Sequence, residues 1–190
     1  MRYAFANSTI SEDALCEILT RLWQIKLRSI ELMERWYQTA TDSDIRAGLA
    51  SQVSDEWRHR RLLSDEIRRR TGRPPTAVDH IVTKAFALVQ AQPDDAMKAC
   101  AFYRGIKAST IDRYYRLLWA ADVDLLEVLE QIIQDDTRHL RWADLHLRSL
   151  SGESVRRGNL LLEKMQITMK AVWLRPWRNL PPTLLSYLAS

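Results

Sequence analysis

The chain has 190 residues, 46% of them hydrophobic and 27% charged, with 28 Lys and Arg against 24 Asp and Glu for a formal net charge of +4. That length can enclose a core as one domain, and the composition excludes a disordered chain. Bases are interspersed with acids even around Arg58, Arg60 and Arg61 and around Arg68, Arg69 and Arg70, so these clusters read as solvated helix faces and no nucleic-acid partner is expected.

Only five glycines and six prolines interrupt the chain, which favours long helices. Cys16 and Cys100 stand far apart and in no CxxC pair, which argues against a metal–thiolate site and for free thiols in a reducing compartment. No window reaches membrane-spanning length, and the first fifteen residues lack an apolar signal-peptide core. The expectation is a cytoplasmic protein with no membrane partner.

Thr9-x-x-Glu12 has the form of a capping box and predicts a first helix over 10–40, with Leu15, Leu19, Leu22, Ile30, Met33 and Tyr37 on one stripe. Thr41-Asp42-Ser43-Asp44 breaks it and caps a second helix over 45–71, with Ile45, Leu49, Val53, Leu63 and Ile67 inward. Gly72 and Pro74-Pro75 end that helix. A short connecting helix over 77–91 stops near Pro93. A third long helix follows over 94–120 and a fourth over 123–150, capped by Asp122 and ended by Gly152. The fourth turns Leu125, Leu129, Ile132, Leu140, Ala143 and Leu147 inward. A basic amphipathic helix over 154–173 precedes an irregular end rich in Pro, Leu and Trp. Residues 1–152 thus form an all-α four-helix unit of two hairpins joined by a crossover, and residues 153–190 a C-terminal helix and tail packed on it.

The two hairpins resemble each other. Ile25-Lys26-x-x-x-Ile30-Glu31 matches Ile106-Lys107-x-x-x-Ile111-Asp112, and Val53-x-x-Glu56-x-x-His59 matches Ile133-x-x-Asp136-x-x-His139. One offset nearly serves both pairs, which points to an internal repeat. Glu56 and His59, like Asp136 and His139, are neighbours on one helix face, and both acids fall in the middle of an apolar stripe. Charged groups are rarely buried there without partners.

In these motifs, over residues 10–150, the chain resembles the ferritin-like superfamily, which includes rubrerythrins and di-iron carboxylate proteins. The resemblance implies a bundle in which helices one and three each give one Glu and helices two and four each give Glu-x-x-His to a pair of metals. Glu56, His59 and His139 match ligand positions, and Asp136 matches one with a shorter acid. Lys26 and Lys107 fall where the other two glutamates belong.

Two carboxylates, two ammonium groups and two neutral imidazoles already sum to zero charge. Two divalent ions added to that set would bring strong repulsion, and a charged ammonium has no lone pair to ligate with. The expected centre is therefore Lys26, Glu56, His59, Lys107, Asp136 and His139, with no cofactor. Tyr103 and Tyr114 lie beside Lys107 at helical spacing, as core aromatics seeking a hydroxyl partner. The competing expectation is a di-iron or iron/manganese oxidase that ligates through Glu31, Glu56, His59, Asp112, Asp136 and His139. A third is a helical protein-interaction module using the basic tail helix with Trp173 and Trp177. A homodimer and a small-molecule substrate of unknown class are the partners left open.

Overall fold

The computed structural model describes residues 10–76, 80–148 and 152–174, and all regular structure among them is helical. None of these helices is long and apolar enough to cross a membrane. The elements are α1 (Glu12–Thr39), α2 (Ser43–Thr71), α3 (His80–Gln90), α4 (Asp95–Ala99), a π-helical segment (Cys100–Lys107), α5 (Ala108–Leu117), a 3-10 turn (Leu118–Ala120), α6 (Val123–Leu147) and α7 (Gly152–Leu174). Thr9, Trp177 and the rest of the expected C-terminal tail lie outside the described residues.

Local chemistry sets the helix ends. Ser11 caps α1, its hydroxyl accepting from Ala14 N at 3.3 Å, with Glu12 and Asp13 against the positive end of the helix dipole. The cap is therefore two residues later than a Thr9 capping box would place it. The Asp42 carboxylate accepts from Asp44 N and Ile45 N to start α2. Gly72, at φ 69°, ends it in the left-handed conformation that glycine adopts without a Cβ penalty.

The bend between α1 and α2 is pinned from a distance. Asp95, at the start of α4, accepts from Trp36 Nε1 at 2.7 Å, Thr41 N at 2.7 Å, Thr41 Oγ1 at 2.9 Å and Asp42 N at 3.1 Å. Trp36 takes the inward position in this last turn, which leaves Tyr37 turned outward and 39% exposed rather than on the core stripe.

α1 packs along α2, α2 against α6, and α6 against the π segment and α5. The apolar core runs through Leu19, Leu22, Leu49, Leu63, Leu125, Leu129 and Ile132, each at most 1% exposed. Val53 and Leu140 sit at the edge of this core. The innermost positions beside them belong instead to Gln52, Asp55, Glu56, His59, Asp135, Asp136 and His139.

α7 covers the other side of the π segment together with α3, and Arg21 of α1 donates to the Val172 carbonyl to tie α7 down. A Cβ on Gly105 would meet Met165 Cβ at 2.9 Å, so the absence of a side chain there sets how closely α7 approaches. With helices on both sides, every residue of the π segment except Arg104 is buried.

Candidate functional site

Four elements each deliver one ionic side chain to a single interior point. Lys26 comes from α1, Glu56 from α2, Lys107 from the last position of the π segment and Asp136 from α6. None is more than 2% exposed, so no solvent screens them. Lys107 Nζ lies 2.5 Å from Glu56 Oε1 and 2.6 Å from Asp136 Oδ1. Lys26 Nζ lies 2.6 Å from Asp136 Oδ2 and 3.3 Å from Glu56 Oε2. Each ammonium bridges both carboxylates and each carboxylate bridges both ammonium groups, which makes a closed, neutral ring of four charges.

The electrostatics hold Lys26, Glu56 and Asp136 ionised. Burial pushes the Lys26 ammonium toward neutrality, but Asp136 and Glu56 outweigh it and raise its pKa. Burial likewise pushes Glu56 and Asp136 up, and the two facing lysines override it, leaving Glu56 low and Asp136 well below the ordinary carboxylate range. His59 is held at about 4 by burial and by the positive charge of Lys26, and is neutral near pH 7.

The two lysines are not equivalent. Besides the two carboxylates, Lys107 Nζ reaches His139 Nδ1 at 3.4 Å, so three acceptors face its three protons. Lys26 has one short bond, to Asp136, and the longer contact with Glu56. Glu56 Oε2 has only this longer ion-pair contact, His59 Nδ1 and the Tyr114 hydroxyl are buried without a hydrogen-bond partner, and Lys26 Nζ lies 5.7 Å from the Tyr114 ring centre.

A second layer encloses the ring. His59 Nε2 lies 3.0 Å from Asp135 Oδ2 on α6, and His139 Nε2 lies 3.0 Å from Asp55 Oδ2 on α2. Arg58 pairs with Asp55 at 2.8 Å and also donates to Asp135, while Arg138 pairs with Asp55 at 2.8 Å and with Asp135 at 2.9 Å. Two carboxylates and two guanidinium groups make this layer neutral as well. The pairing orients both imidazoles with Nε2–H outward and the Nδ1 lone pair inward.

The structure brings Lys26, Glu56, His59, Lys107, Asp136 and His139 together, and it places Tyr103 and Tyr114 in the adjoining wall. Tyr103 donates to Gln52 Oε1 at 2.9 Å, and burial raises both phenol pKa values. Glu31 and Asp112 are not brought in. Glu31 pairs with Arg28 at 2.6 Å and Asp112 with Arg116 at 3.0 Å, both on the outer faces of their helices. Trp173 is 2% exposed and donates to Ser109 Oγ at 3.0 Å, so it belongs to the packing of α7.

Asp55, Arg58, Asp135 and Arg138 were missed by reasoning on the Glu/Asp-x-x-His motif alone. The signal was present: Asp-Glu-Trp-Arg-His over 55–59 and Asp-Asp-Thr-Arg-His over 135–139 repeat the flanking acid and arginine at the same positions.

Glu56, Asp136 and His139 offer ligand atoms within 4.8 Å of one another, a buried group of the kind that could hold a metal ion. Three of the distances above place the Lys107 ammonium against those same three side chains. In comparisons with protein-family models, with curated proteins and with solved structures, nothing matches this chain.

Proposed function

We propose that the chain is a ferritin-like four-helix bundle of two similar hairpins whose dinuclear metal centre has been replaced by an ion-pair centre, and that it acts as a binding or interaction module, or as an enzyme whose chemistry does not use two metals, rather than as a dioxygen-activating oxidase. The observation that carries this reading is the position of the Lys107 ammonium, within hydrogen-bond reach of Glu56, Asp136 and His139 together. A cation is already there, and it is covalently part of the chain.

The donor chemistry does not fit a pair of divalent ions. A ferritin-like centre holds its metals with four carboxylates and two imidazoles. Here two of the six positions carry ammonium groups with no lone pair to give. Lys26 is held in its charged form by the same carboxylates a metal would need. Glu31 and Asp112, the acids that could complete a carboxylate set, are engaged by arginines away from the centre. Two divalent ions beside two ammonium groups would leave an uncompensated charge in an interior where no solvent screens it.

Elemental analysis of protein purified after growth with added iron and manganese tests the proposal. Less than a tenth of an equivalent of bound metal per chain, on the order of adventitious binding, is the expected result. Two equivalents per chain would overturn it and restore the oxidase reading.

A further inference from the structure

The outer face of α7 carries a line of uncovered apolar side chains. Leu160, Ile167 and Leu174 are 57%, 72% and 39% exposed. They stand seven residues apart, about two turns of helix, so they fall on one line down the surface. The opposite face of the same helix is already engaged, with Leu161, Met165, Met169, Val172 and Trp173 buried on the side that meets the π segment and α3. Single exposed apolar residues are ordinary on a protein surface. A row of them at heptad spacing is the pattern of a helix that meets a second helix.

The charges beside this line are self-complementary. Glu163 and Lys170 are exposed and flank Ile167 on the same side, one turn before it and one turn after. They lie about 10 Å apart along the helix axis, and neither makes an ion pair with the other or with any other described residue. A two-fold axis level with Ile167, relating two antiparallel copies of α7, brings Glu163 of each chain opposite the partner's Lys170. The same operation sets Ile167 against its own copy and Leu160 against the partner's Leu174. On the other flank Lys164 comes opposite the partner's Ala171, so no like charges meet. A parallel pair would instead set Arg156, on the same line one turn before Leu160, against the partner's Arg156.

We infer that the outer face of α7 is a homodimer interface, in which two α7 helices pack antiparallel about Ile167 with a Glu163–Lys170 ion pair on each side of the two-fold axis. One patch that complements itself is what an isologous interface requires. The inference names a second copy of the chain as a partner and does not depend on the ion-pair centre, with which it shares no residue. The seam is only two heptads long, less than the standard interface of about 1,600 Å². Association with a Kd of about 10–100 µM is therefore expected.

Sedimentation equilibrium of the full-length protein at low salt, at concentrations up to about 1 mM, tests the inference. The parent is expected to dimerise reversibly. Ile167→Asp, at a position outside the core, is expected to be monomeric throughout. Glu163→Lys should weaken the dimer about tenfold by setting like charges together twice. Glu163→Lys/Lys170→Glu should restore it to within about threefold of the parent. That rescue separates the antiparallel pairing from a parallel one, in which the introduced side chain would face the partner's Lys164. A parent that is monomeric up to about 1 mM, an Ile167→Asp variant as dimeric as the parent, or a double variant as weak as Glu163→Lys would overturn the inference.

Discussion

Asp55 on α2 holds His139 on α6 at 3.0 Å, and across the same interface Asp135 on α6 holds His59 on α2 at the same distance. Each helix thus orients the imidazole of the other. The contact fixes Nε2 as the protonated nitrogen and turns a lone pair toward the centre. His59, neutral at pH 7, is expected as the Nε2–H tautomer, readable from its imidazole nitrogen shifts. Asp135→Asn should lower stability by about 2 kcal/mol, the usual worth of a hydrogen bond to a charged group, and should broaden or shift the His59 resonances selectively. A His59 spectrum unchanged by that substitution would mean the aspartate does not set the ring.

The unequal surroundings of the two lysines give a second expectation. Removing either ammonium strands a buried carboxylate pair, and breaking a buried ion pair costs about 3–5 kcal/mol. Lys107→Met takes away the donor that satisfies Glu56 Oε1, Asp136 Oδ1 and His139 Nδ1 together, whereas Lys26→Met removes one short bond and one longer contact. Lys107→Met should therefore be the more damaging variant by denaturant unfolding. Equal losses would show that the static asymmetry has no energetic counterpart.

Much of this centre can be read from residue order. The spacing of Lys26, Glu56, Lys107 and Asp136 on apolar stripes announces that four charges share an interior, because isolated charges there are too costly to persist. Their connectivity is another matter. Nothing in a helical stripe says that each ammonium bridges both acids, since that depends on where the helix backbones lie. The π segment ending at Lys107 has no marker in the sequence except the run of seven buried residues around Arg104, which uniform helical spacing would have placed partly on a surface. Asp55 and Asp135 are not legible in the same way, because they sit one residue off the Glu/Asp-x-x-His stripe. Position beside a stripe reads as a helix edge until the partner helix is in place. The capping chemistry was more local, and Asp42, Gly72 and Asp122 act where their residue types predict.

If ammonium groups are what keep divalent ions out, replacing them should let ions in. In Lys26→Glu/Lys107→Glu the interior would carry four carboxylates and two imidazoles with four uncompensated negative charges. That charge set is neutralised by two divalent ions. The double variant is expected to be unstable without metal and to gain several degrees in Tm when manganese or ferrous iron is supplied, because ligands that bind only the folded state stabilise it. The parent should show no such shift. A parent protein stabilised by the same ions as strongly as the variant would contradict the role given to the lysines.

The pH dependence of stability follows from which groups the fold holds away from their ordinary range. His59 sits at about 4 in the folded chain against an ordinary 6.5, so between those values the unfolded chain binds a proton that the native protein refuses. Stability therefore falls as the pH drops below about 6.5, by about 3 kcal/mol once the pH reaches the lower value. Glu56 and Asp136, held low by the lysines, act in the same direction at more acid pH: their contribution is complete above the ordinary carboxylate range and is lost as pH falls through their folded values. Lys26 limits the other side, since its raised pKa stabilises the fold fully below its ordinary value and less as pH rises through the folded one. Unfolding free energies from denaturant titrations between about pH 7 and 5 should decline by about 1 kcal/mol per pH unit in the parent. They should stay nearly level over that window in His59→Leu, whatever its absolute stability, because the group that titrates has gone. The same acid slope in both proteins would place the refused proton elsewhere and leave the neutral, inward-facing imidazole without support.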